Sequence, residues 1–93
     1  MPAFDVAIPT PLRSYTAGAD RVRVTVTAQP TRLADVLAAL DAAYPGIRFR
    51  MIDEAGRTRP HVQMFVDARI ERDPQAVLAP DAQIMIVGAL SGG

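Results

Sequence analysis

The chain has 93 residues, ten basic and ten acidic side chains, no cysteine and 49% apolar composition. That length is one domain, and zero net charge without a basic block argues against a nucleic-acid surface. Lack of cysteine excludes disulfides, thiolate chemistry and cysteine-held metals, and no apolar run approaches the roughly 20 residues of a membrane span.

Phe4-Asp5-Val6-Ala7-Ile8 alternates between apolar and small or polar residues and predicts a first strand. Pro9 and Pro11 end it, since proline has no N–H to give a ladder. Beyond turn-forming Thr16–Asp20, the stretch Arg21–Thr27 alternates without a fault and predicts a second strand. The resulting hairpin would put Phe4, Val6, Ile8, Val22, Val24 and Val26 on one face.

Gln29-Pro30 interrupts the pattern, Thr31 is the expected helix N-cap, and Asp35 suits the first turn. Leu33, Val36, Leu37, Leu40 and Tyr44 recur at steps of three and four, so they share one helical face. Pro45-Gly46 stops that helix. Ile47–Ile52 is expected to form a short helical turn, followed by a polar loop at Asp53–Arg57. Val62–Asp67 predicts a third strand, Ile70 a short edge segment, Asp73–Leu78 a capped turn of helix, and Gln83–Val87 a final strand.

One helix on one face of a mixed sheet is an α+β arrangement. Hairpin, helix and two further main strands is the β-grasp order, in which the apolar last strand lies beside the first and meets the helix. The expected organisation is a β-grasp domain over residues 1–88 and a flexible diglycine tail over residues 89–93. Gly92 and Gly93 lack side chains, so a narrow active site could reach the terminal carboxylate and set its dihedrals freely.

Three segments together resemble the ubiquitin-like sulfur carriers: Ile8-Pro9-Thr10-Pro11-Leu12-Arg13, the helix ending at Tyr44-Pro45-Gly46, and the closing Ala89-Leu90-Ser91-Gly92-Gly93. That family includes the small subunit of molybdopterin synthase and the carriers of the thiamine and cysteine routes. The chain departs from it at Pro80-Asp81-Ala82-Gln83, where many members have Gly-Asp, and at Asp67-Ala68-Arg69, where Asn-Gly is common. The resemblance implies that Gly93 is the covalently modified residue, with Leu90, Ser91 and Gly92 completing the activation tail. An adenylyltransferase of the ubiquitin-activating type would spend ATP on the carboxylate, and a sulfur-donor protein would convert it to a thiocarboxylate. An acceptor enzyme of a biosynthetic pathway would consume that sulfur. No catalytic residue, bound cofactor or metal site is expected within the chain, and a cytoplasmic location follows from the absence of an export signature. Two alternatives stay open: a protein modifier joined through Gly93 to lysines, and a non-covalent interaction domain.

Magnitudes locate the expected docking surface. Ordering five tail residues costs roughly 5–10 kcal/mol at about 1–2 per residue. Offsetting that takes roughly 200–400 Å² of apolar burial at about 25 cal/mol/Å², more than two glycines, a serine and Leu90 supply. The folded body must therefore dock. If Val62, Met64, Val66, Ile84 and Ile86 face the helix, then Phe65, Met85 and Val87 face away, beside Ala7, as a partner-docking patch. A second copy of the chain could cover the same patch. His61 is expected on a surface loop and the adjacent Asp53 and Glu54 in solvent. Arg48, Arg50, Arg57 and Arg59 form a local basic concentration, either solvated or facing an acidic partner.

Overall fold

The computed structural model describes residues 2–88. Its strands are β1 (Ala3–Ala7), β2 (Arg21–Thr25), β3 (Val62–Val66), β4 (Arg69–Ile70) and β5 (Gln83–Gly88), with helices α1 (Leu33–Ala43) and α2 (Arg48–Met51). One mixed sheet has the order β2-β1-β5-β3-β4, with β5 parallel to β1 and the other pairs antiparallel. This is the expected α+β, β-grasp arrangement, with the last strand in the middle.

Period-two alternation decides the core. Phe4, Val6, Ile8, Val22, Val24 and Val26 are all buried, as are Met64, Ile84 and Ile86 beneath the helix. The sequence predicts β2 as far as Thr27, whereas the strand ends at Thr25. One more contact follows: the Val26 N–H donates to the Pro2 carbonyl at 3.0 Å. Leu33, Val36, Leu37 and Leu40 form the inner stripe of α1, and each is at most 1% exposed. Tyr44, at the C-cap, packs half-buried against that core. Gly46 follows with φ +97°, a left-handed conformation that glycine adopts without a Cβ penalty. A Cβ there would also lie 3.3 Å from the Tyr15 ring.

Two expectations fail locally. Thr31 does not cap α1; it is buried, and its hydroxyl donates to the Ala28 carbonyl at 2.9 Å. The N-cap is Arg32, whose N–H donates to Asp35 Oδ2 at 2.8 Å. Residues 73–78 form a turn and an isolated bridge from Val77 to Arg32 instead of a helical turn. The carbonyls a helix would have consumed are taken by the start of α1. Leu33 N–H donates to Ala76 O at 3.0 Å and Ala34 N–H to Pro74 O at 2.7 Å. Free N–H groups at a helix start need acceptors, and this segment supplies them.

Candidate functional site

The face of the sheet opposite α1 is built by the other half of the same alternation. Directly paired residues share a face, so the register Arg21–Ala7–Met85–Phe65–Ile70 runs across β2, β1, β5, β3 and β4 as one row. Met85 is 44% and Ile70 45% exposed, while Phe65 is half-buried between them. One step toward the C-terminus of β5, Val87 stands opposite Gln63 and is 39% exposed. The structure thus places Phe65, Met85 and Val87 together on the face away from the helix. It adds Ile70, whose pairing with Phe65 is visible only once the hairpin register is known.

On the other side of the row, Asp5 and Arg23 face each other across β1 and β2 and pair at 2.9 Å. The apolar band therefore has a charged border at that end and leads, at the other, to Gly88. There the chain passes over the segment after β1. A Cβ on Gly88 would sit 3.8 Å from Pro9 and 3.9 Å from Pro11, within ordinary contact. Pro9 precedes a 3-10 turn at Thr10–Leu12 that contains Pro11, and Arg13 Nε ties it back by donating to Ile8 O at 3.0 Å. A shallow groove runs between this turn and β5, lined by Ala7, Pro9, Arg13, Arg21, Val87 and Gly88.

Leu90, Ser91, Gly92 and Gly93 lie outside the described residues. What the structure fixes is their point of origin: residue 89 follows Gly88, the last residue of the central strand.

The remaining polar candidates are accounted for by local structure. His61 is exposed in the turn before β3. Asp53 organises its own loop: Oδ1 accepts the N–H groups of Ala55 at 2.9 Å and Arg57 at 3.0 Å. The Arg57 amide, then that of Ala55, with the guanidinium groups of Arg57 and Arg59, holds the Asp53 carboxyl below its ordinary pKa despite some desolvation. Arg50 Nε donates to the Tyr15 hydroxyl oxygen at 2.7 Å, and Arg59 Nε to the Phe49 carbonyl at 2.7 Å. Arg48 lies over the Phe49 ring at 5.4 Å. Most of the basic concentration thus braces α2 and the loop beyond it. Among the described residues, no cluster of three or more His, Asp or Glu side chains is placed to hold a metal ion.

The sequence matches no protein-family model and no curated protein. Solved structures do match over almost the whole chain. CysO of Mycobacterium tuberculosis, described as an antigen, superposes with a TM-score of 0.79 at 26% identity, covering 94% of this chain and 99% of that one. SAMP1 of Haloferax volcanii gives 0.81 at 21% identity, covering 98% and 99%. A chain of the Amycolatopsis orientalis BexX/CysO complex gives 0.81 at 20% identity, covering 97% and 99%. By strand order and by these likenesses, the chain is a ubiquitin-like β-grasp protein that shares its fold with CysO and SAMP1.

Proposed function

We propose that this protein is a sulfur carrier whose Gly93 carboxylate is adenylated and then converted to a thiocarboxylate. A carboxylate resists nucleophiles because its charge is delocalised and its leaving group would be oxide. Transfer of AMP from ATP, with loss of pyrophosphate, replaces that leaving group with a good one. A persulfide on a donor protein then attacks the carbonyl carbon and expels AMP. Thiolate attack on the resulting acyl disulfide leaves the sulfur on Gly93. An acceptor enzyme takes that sulfur, and hydrolysis restores the carboxylate. ATP belongs to the activating partner, and nothing in this chain needs to be catalytic, so the protein is a co-substrate and not an enzyme. The setting that fits this chemistry is the cytoplasm.

The observation that carries this reading is the position of β5. The central strand supplies Met85 and Val87 to the exposed apolar band and ends at Gly88, five residues before Gly93. A partner seated on that band would stand next to the root of the tail. The open face is the docking surface for the adenylyltransferase, with Phe65, Met85, Val87 and Ile70 as its apolar contacts. CysO is found in a complex with BexX in Amycolatopsis orientalis, which supports a working cycle built on protein partners.

Intact-mass spectrometry after incubation with ATP, a sulfur donor and the cognate activating enzyme tests the proposal. Replacement of one carboxyl oxygen by sulfur, absent when Gly93 is deleted, is the expected result. Conjugates to other proteins would identify a modifier, and an unchanged mass a non-covalent domain.

A further inference from the structure

All ten basic side chains of this protein are arginines; the sequence holds no lysine. Arginine geometry explains part of that choice. Arg13 and Arg59 each aim Nε at a backbone carbonyl, Arg32 Nη1 donates to Gln75 O at 2.7 Å, Arg50 uses Nε on Tyr15, and Arg23 pairs with Asp5. A planar guanidinium suits such contacts better than a point-charge ammonium.

It does not explain Arg21, Arg69 and Arg72. All three are exposed, and among the described residues their side chains make no hydrogen bond or ion pair. A lysine would solvate there equally well. What distinguishes the two residues at such positions is reactivity. A lysine amine with a pKa near 10.4 is free base in about one molecule in 2,500 at pH 7, and that fraction attacks activated acyl groups; a guanidinium stays protonated.

We infer that the absence of lysine keeps the activated Gly93 acyl group from being captured by the carrier itself, so that the chain acts as an acyl donor and never as an ε-amine acceptor. The inference rests on the sulfur-carrier reading. Arg21 is where capture would be easiest. It lines the groove shared with Gly88 and ends the row through Ala7 and Met85. Arg21 lies two strands across and three residues along from Gly88, about 14 Å by sheet spacing, and five residues beyond Gly88 span at most about 16–18 Å, enough to bring Gly93 to that position. With an amine there, a C–N bond would form to the Gly93 carbonyl carbon, the C–O bond to AMP would break, and the amine proton would pass to solvent. The carrier would close on itself as a dead-end lactam.

The experiment compares the wild type with Arg21→Lys and the more distant Arg72→Lys. Each is incubated with the cognate activating enzyme and ATP, without a sulfur donor, and ATP–pyrophosphate exchange reports adenylation. Expected for Arg21→Lys is normal exchange together with loss of one water from the intact mass. Peptide mapping would then join position 21 to Gly93, at least tenfold above any such product from Arg72→Lys and with none from the wild type. Normal exchange without an amide in either variant overturns the inference and leaves the carrier reading standing. No exchange in any protein removes the carrier reading, and the inference falls with it.

Discussion

Replacing Met85 with glutamate is the most direct test of the open face. Fully burying a methionine is worth about 1.5–3 kcal/mol, so covering the 44% left exposed contributes about 0.7–1.3 kcal/mol on docking. Ile70 at 45% and Val87 at 39% add similar amounts, giving about 2–4 kcal/mol from three side chains. That is less than the roughly 5–10 kcal/mol needed to order the tail, so these three side chains leave no apolar surplus and the loss of one is felt in full. Met85→Glu removes the methionine's share and buries an unpartnered carboxylate, a further penalty of roughly 1–3 kcal/mol or more. The sum, about 2–4 kcal/mol, weakens binding by about 30- to 1000-fold. Because the side chain points to solvent in the free protein, thermal stability should change by no more than about 0.5 kcal/mol. Calorimetric titration with the activating enzyme and a thermal melt measure both quantities. Ala38→Glu, on the exposed side of α1, is the control that should bind normally. Binding of Met85→Glu within about threefold of wild type, with the melt unchanged, would show that the partner docks elsewhere.

Leu40→Ala, at a fully buried position of α1, should cost about 2–5 kcal/mol in denaturant unfolding. Ala68 holds φ +69° in the two-residue turn between β3 and β4. Glycine relieves a strain of roughly 1–2 kcal/mol there, less its own chain entropy, so Ala68→Gly should raise stability by about 0.5–1 kcal/mol; a loss would contradict the left-handed assignment. Gly46→Ala combines φ +97° with a Cβ 3.3 Å from the Tyr15 ring and should cost at least about 1–2 kcal/mol by the same melt. The folded pKa of Asp53 lies below its unfolded value, so its stabilising share is present at neutral pH and lost as pH falls below about 4. The stability gap between wild type and Asp53→Asn should therefore close between about pH 5 and pH 2, and a gap constant across that range would refute the assignment.

Period-two and period-three-to-four patterns made the sheet and α1 legible because each position answers to one question, inside or outside. Val22, Val24 and Val26, or Leu33, Val36, Leu37 and Leu40, have no other way to be buried. The failures fall where backbone demand from a distant segment overrides local propensity. Thr31 is a favourable cap by type, yet Asp35 already serves the N-cap amide, and the Thr31 hydroxyl turns back to Ala28. Residues 73–78 lose their helical turn because the carbonyls of Pro74 and Ala76 accept from α1, some forty residues earlier in the chain. Neither competition leaves a trace in a window of neighbouring residues.

The same limit hides Ile70, and it shows how tightly fold and docking face are joined. Along β5, Ile84 and Ile86 belong to the core and Met85 and Val87 to the open face. A slip of one residue would exchange the two sets, leaving no intermediate in which the core is intact and the docking band lost. The register must therefore be fixed at the ends of the strand. At its start Asp67 holds Gln83 twice, its N–H donating to Gln83 O and its Oδ1 accepting Gln83 N–H, both at 2.9 Å. At its finish Gly88 lies within contact distance of Pro9 and Pro11. The positive-φ pair Asp67 and Ala68 forms the hairpin turn that also brings Ile70 opposite Phe65. One turn thus sets the register of the central strand and completes the apolar row. Asp67 thus serves twice, as a positive-φ turn residue and as the Oδ1 acceptor that clamps β5.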